Sequence, residues 1–206
     1  CLVGSEMCIR DRYVMDVVLA DLPEMLKARP GFHVSLNLSP QDLVADGPVQ
    51  YLQRRFSAME MPPGALMLEV TERGLVDIEA ARPALQAARQ IGASIALDDF
   101  GTGYSSLSML ESIDIDTLKI DRIFIASIGA QAAISPVTTH IIEMAHMLKL
   151  ALIAEGVETQ DQVDFLIARG VRQAQGWKFA RAMPLNDLLA GMRPQPAVSP
   201  RGSAQD

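Results

Sequence analysis

Ile95-Ala96-Leu97-Asp98-Asp99-Phe100-Gly101-Thr102-Gly103-Tyr104-Ser105-Ser106-Leu107 runs a short apolar segment into two adjacent carboxylates and a loop punctuated by glycine. The apolar part has strand length, and its abrupt end puts both acids where the chain leaves a sheet. Neighbouring aspartates repel one another and raise each other's pKa, so keeping both ionised requires a cation or a cage of hydrogen bonds. Such a pair is suited to holding a metal over a phosphate. An Asp-rich turn closed by glycine is the plain alternative for Asp-Asp-x-Gly taken alone.

Working outward from this segment, periods of about 3.6 and of 2 alternate from Tyr13 onward, as expected for strands and helices around a parallel sheet. The pattern predicts an opening helix over 13–28, stopped by Pro30-Gly31, and strands over 33–38, 66–70, 94–98, 117–121, 151–155 and 171–175. Helices are expected over 78–91, 136–149, 159–169 and 185–191, with Ser39-Pro40 and Ser135-Pro136 as helix starts. The strands end on Asn37, Glu69, Asp98, Lys119 with Asp121, Glu155 and Gln175. Functional groups converging from the C-terminal ends of successive strands are the active-site rule of the (β/α)8 barrel. Side-chain parity agrees: Ser35 and Asn37 would line the interior while Val34, Leu36 and Leu38 meet the helices. An open doubly wound sheet gives the same alternation and stays a second possibility. Only six strands are legible, whereas a closed barrel has eight, so the fold expected is a TIM-like α/β barrel lacking its first strands.

With 206 residues, 49% of them hydrophobic, 21% charged and no apolar run of membrane-spanning length, the chain is expected to be one soluble domain. A net charge of -7 argues against binding a DNA or RNA polymer, which relies on clustered Lys and Arg. Both cysteines, Cys1 and Cys8, lie in the opening dozen residues, which excludes a disulfide framework from the fold proper. Residues 1–12 look like translated adaptor sequence at a broken reading frame and are set aside as a non-native lead-in. Residues 13–192 form the expected domain, and 193–206, rich in Pro, Ser and Gly, read as a disordered tail.

Asn37, Glu69, Asp98 and Asp99 supply the oxygen ligands that Mg²⁺ or Mn²⁺ prefers, and no cysteine accompanies them. Two such ions about 4 Å apart can share a bridging carboxylate and clamp the attacking and leaving oxygens of a phosphodiester, with Asp98 the natural bridge. Asn37 also reads as a capping amide before Ser39-Pro40. Lys119, between apolar neighbours, can stabilise developing negative charge or make a buried salt bridge to Asp121 or another carboxylate. Glu155 can accept a proton from water or bind metal, whereas Glu158, beside Thr159, also reads as a helix-dipole partner. His140 and His146 are six apart on one helix and share no metal-binding face; with His33 they read as packing or solvated residues.

These motifs resemble, in order, those of the EAL domain family of bacterial phosphodiesterases that open cyclic di-GMP. The resemblance runs from about Tyr13 to Pro184 and rests on Asn37-Leu38-Ser39, Leu68-Glu69-Val70-Thr71-Glu72, the Asp98 to Leu107 segment, Lys119-Ile120-Asp121, Ala154-Glu155-Gly156-Val157-Glu158 and Gln175-Gly176. It implies that Asn37, Glu69 and Asp98 hold one metal and that Asp99 helps hold a second. It makes Lys119 a water-orienting residue and Glu155 a metal-site or general-base residue. Asp121, Glu158 and Gln175 are implied around substrate or its water network. Glu72, with Gly101, Thr102 and Gly103, is implied to shape the loop after Asp99 and couple it to a homodimer interface. The Glu-Ala-Leu segment that names the family is absent, Trp177 stands where Tyr is usual, and Ala182 where Pro is common.

The resemblance implies hydrolysis of cyclic di-GMP to linear pGpG with two Mg²⁺ or Mn²⁺ ions, a cytoplasmic location, and an upstream sensor or diguanylate-cyclase-like domain. A membrane-anchored parent and a noncatalytic cyclic di-GMP receptor stay open as alternatives. Because the naming glutamate is missing, the chain by itself is expected to be inactive.

Overall fold

The computed structural model describes residues 3–44, 48–59, 61–101, 110, 113–129 and 136–192. Helix α1 (Val3–Ala28) opens the chain and buries Met15, Leu19 and Leu22, spaced to share one helical face. It therefore starts well before the expected residue 13 and takes in most of the segment set aside as a lead-in. Strand β1 (Val34–Leu38) follows, then α2 (Pro40–Val44) and α3 (Pro48–Ser57). Ser39 starts α2 as expected: its Oγ and backbone N–H both donate to Asp42 Oδ2, at 2.6 and 2.8 Å. Next come β2 (Leu66–Thr71), a 3₁₀ turn (Glu72–Leu75) and α4 (Ile78–Gln90), which Asp77 caps by accepting from the Ala80 N–H.

β3 (Ser94–Phe100) and β4 (Thr117–Ile120) flank the segment whose middle lies outside the described residues. The chain continues through α5 (Arg122–Ala126), α6 (Pro136–Met147), β5 (Ala151–Ala154), α7 (Gln160–Ala168), β6 (Gln173–Ala174) and α8 (Leu185–Met192). A reciprocal capping box between Thr159 and Gln162 fixes the start of α7. The sequence reading did not anticipate α3 or α5 as separate helices. Ser135, Thr102, Gly103 and the tail from residue 193 fall outside the described residues.

All six strands are parallel and lie in chain order, β1-β2-β3-β4-β5-β6. A doubly wound sheet reverses direction at a switch point; this one does not, and its sequential order is that of a curled half-barrel. The two faces separate by parity. Leu36, Leu38, Leu66, Leu68, Val70, Ile95, Leu97, Leu118 and Ile120 join the main core beneath the helices. Fully burying each of the larger ones is worth about 1.5–3 kcal/mol. Met67, Ala96 and Ile153 form a separate small cluster from the opposite parity, on the concave face. The free edges of β1 and β6 face each other across a cavity of about 350 Å³ lined by His33, Ser35, Ile153 and Gln173, among others. Among the described residues no helix is long and apolar enough to cross a membrane.

Candidate active site

The concave parity delivers one ionisable group from each of four neighbouring strands or strand ends. Glu69 lies on β2, Asp98 on β3, Lys119 on β4, and Glu155 one residue past β5. They meet at one atom: Lys119 Nζ lies 2.5 Å from Glu69 Oε2, 2.5 Å from Glu155 Oε1 and 3.1 Å from Asp98 Oδ2. The Lys119 side chain is 3% exposed and that of Glu69 6%, so the low surrounding polarisability strengthens both attraction and the cost of any unpaired charge. Gln175 extends the network, donating from Nε2 to Glu155 Oε1 at 2.8 Å. The buried salt bridge foreseen for Lys119 therefore exists, but with three carboxylates other than Asp121.

Burial alone would lower the pKa of Lys119; hydrogen bonds to Glu155 and Glu69 overcome it and leave the ammonium held above its ordinary value. Burial raises the Glu155 carboxyl, with Lys119 opposing and the charges of Asp98 and Glu69 adding to the rise. Asp99 is also raised, first by burial and then by the charges of Asp98 and Asp121. The charge of the neighbouring aspartate thus adds to burial in raising Asp99.

A register shift sets the geometry of this pair. β3 and β4 pair Leu97 with Leu118 and then Phe100 with Ile120, so β3 spends one extra residue at Asp98-Asp99. Asp99 takes a left-handed φ of 56°, a conformation that aspartate tolerates better than most residues. The Asp99 N–H donates to Asp98 Oδ1 at 2.9 Å. Beyond the bulge, Phe100 is returned to the main core instead of following Asp98 onto the concave face. Gly101 comes next at φ +89°, and a Cβ there would stand 3.0 Å from the Phe124 ring.

The remaining predicted residues divide clearly. Asn37 is exposed on β1 and lies in register with Glu69. Asp121 falls just after β4, accepts from the Ile123 N–H at 2.7 Å to cap α5, and stands close enough to Asp99 to raise it. Glu158 is exposed just before the α7 cap and does not join the cluster around Lys119. Glu72 is buried in the 3₁₀ turn after β2; the loop residues Thr102 and Gly103 that it was expected to support lie outside the described residues. His140 sits 3.4 Å from Glu143 and His146 meets the Arg169 carbonyl, so both stay on the surface as read. Arg122 was missed: with Glu158 and Trp177 it lines a cleft of about 570 Å³ at the same end of the sheet. Its signal was its place, directly after Lys119-Ile120-Asp121.

The donor chemistry fits a hard divalent cation, since buried carboxylates and a neighbouring amide offer oxygen alone. Among the described residues, however, no three acidic, imidazole or thiol groups are disposed to hold an ion as they stand. The Lys119 ammonium occupies the point on which the carboxylates converge.

The EAL domain family matches this chain over residues 10–182. The probable cyclic di-GMP phosphodiesterase PdeB of Escherichia coli (strain K12) is 40% identical over 172 residues, covering 84% of this chain and 33% of that protein. The chain thus spans about a third of the length of this curated relative. Among solved structures, the EAL domain of Mycobacterium smegmatis DcpA superposes with a TM-score of 0.76 at 36% identity, covering 87% of this chain and 84% of that one. The PaMucR phosphodiesterase in complex with c-di-GMP gives 0.81 at 31% identity, covering 90% and 76%. A Klebsiella pneumoniae BlrP1 complex holding manganese and cy-diGMP gives 0.70 at 28% identity, covering 84% and 45%.

Proposed function

This chain belongs to the EAL domain family, and from that premise we propose that it hydrolyses cyclic di-GMP to linear pGpG as part of a metal-dependent phosphodiesterase. The observation that carries the reading is the meeting of Glu69, Asp98 and Glu155 around Lys119 at the C-terminal side of the sheet, joined to c-di-GMP complexes among its structural neighbours. Asn37, Glu69, Asp98 and Asp99 would hold Mg²⁺ or Mn²⁺, two ions in all. When bound, these supply a lowered water pKa and a clamp on the phosphoryl oxygens.

The chain's own groups do the rest. Glu155, raised by burial, takes a proton from the attacking water as its oxygen bonds to phosphorus. The P–O3′ bond breaks, and the proton returns to the departing 3′ oxygen. Gln175 holds Glu155 in place through its 2.8 Å hydrogen bond. Lys119 faces the negative charge that grows on the phosphoryl oxygens. Arg122, Glu158 and Trp177 offer a cation, a carboxylate and an aromatic face in the adjoining cleft, a set that suits a guanine nucleotide. Asp121, which both caps α5 and approaches Asp99, steadies the second metal position. Glu72 and Gly101 shape the loop through which two copies would pair, and a cytoplasmic setting goes with a nucleotide messenger as substrate.

The test is chromatographic conversion of cyclic di-GMP by the complete gene product with Mn²⁺, against a chelated control and Asp98→Asn. Loss of turnover with Asp98→Asn supports the enzyme. Tight cyclic di-GMP binding without any metal-dependent turnover would replace it with the receptor reading.

A further inference from the structure

We propose that Lys119 is the resident cation of the metal-free site, and that a divalent ion and the Lys119 ammonium occupy the same carboxylate oxygens in turn. The inference rests on reading this site as a divalent-metal centre. An ammonium has three N–H donors, and Nζ has three carboxylate partners from three different strands or strand ends, at 2.5, 2.5 and 3.1 Å. The group thus faces three carboxylates at ion-pair distance, and at 3% exposure it is shut off from water.

An ion bound to Glu69 Oε2 and Asp98 Oδ2 would take the two oxygens that now pair with the Lys119 ammonium. Of the second oxygens, Asp98 Oδ1 already accepts the Asp99 N–H. Gln175 donates to Glu155 Oε1, the oxygen that contacts Nζ, and so holds that carboxylate toward the lysine. Metal entry then requires Nζ to withdraw. The freed ammonium becomes the cation available to a phosphoryl oxygen, so one residue closes the empty site and serves the loaded one.

The test is Mn²⁺ calorimetry and denaturant unfolding of the 206-residue chain, wild type against Lys119→Met, with Asp98→Asn as reference. Removing the competitor should tighten Mn²⁺ binding by about tenfold or more. Metal-free Lys119→Met should be less stable than wild type, with most of the loss restored by saturating Mn²⁺. If Lys119→Met is unfolded without metal, refolding on Mn²⁺ followed by circular dichroism supports the exchange. Failure to refold at saturating Mn²⁺ overturns it, as does a folded Lys119→Met that binds Mn²⁺ no tighter while Asp98→Asn abolishes binding. That last pattern keeps the metal centre and makes the lysine an organiser. No Mn²⁺ binding by wild type, unchanged in Asp98→Asn, removes the metal centre and the exchange together.

Discussion

Glu69→Gln isolates what the buried charge at the centre of the site is worth. The carboxamide keeps the shape of the side chain and can still accept from Lys119, so the substitution removes charge without opening a cavity. A charge-assisted hydrogen bond contributes about 1.5–3 kcal/mol and a neutral one about 0.5–1.5. The difference of roughly 1–2 kcal/mol is reduced slightly by relief of repulsion among the three acids. For a chain of this size each kcal/mol moves the melting temperature by about 2–4 °C, so a fall of several degrees is expected in the metal-free protein. Asp98→Asn provides the internal comparison: its contact to Nζ is 3.1 Å rather than 2.5 Å, and its side chain is 14% rather than 6% exposed. Its cost should be less than half that of Glu69→Gln. Urea unfolding of both variants at neutral pH, with chelator present, makes the measurement. Equal costs, or no loss from Glu69→Gln, would refute the view that burial and distance at Nζ set the energetics.

Metal-free stability should fall as pH climbs from the usual carboxylate value of 4.5 through the raised pKa of Glu155, because the folded chain keeps a proton that the unfolded chain has released. Glu155→Gln should flatten that slope, and an unchanged slope in urea titrations would reject the assignment. The contribution of Lys119 has the same sign in a higher window: fully present below 10.5 and lost as pH rises through its raised value. Gly176→Ala should cost on the order of 2–4 kcal/mol, since a Cβ there would lie 2.2 Å from the Val157 carbonyl oxygen at a φ of +152°; wild-type stability would show that the turn after β6 relaxes freely. Glu72→Gln should lower turnover in the complete gene product and quicken hydrogen exchange at Asp99 and Gly101; full activity with unchanged exchange would detach Glu72 from the site.

Much of the site was legible because parallel strands impose a period of two. Asn37, Glu69 and Lys119 each fall between apolar neighbours that bury against helices, and Asp98 follows buried Leu97, so their placement on the concave face follows from alternation. The (β/α) order could also be read, since most strands are short apolar runs and helix caps at Asp77 and Thr159 separate them from the helices. Short helices were harder: the five residues of α5 carry too few turns to show a period, and Asp121, read as the end of a strand, proves to be the cap that starts this helix.

The sequence by itself determined the family, the six parallel strands and the set of oxygen donors, because these depend on residue types and on local periodicity. Only the tertiary structure decided which donors meet. The bulge at Asp98-Asp99 breaks the alternation that sequence reasoning relies on, and it arises from pairing with β4, not from any local preference. The strand order rejected the doubly wound alternative, since order across a sheet is set by long-range hydrogen bonding. Lys119, 50 residues from Glu69 in the chain, became the partner of three acids because curling the sheet brings four strands to one buried point, where each charge must find its opposite.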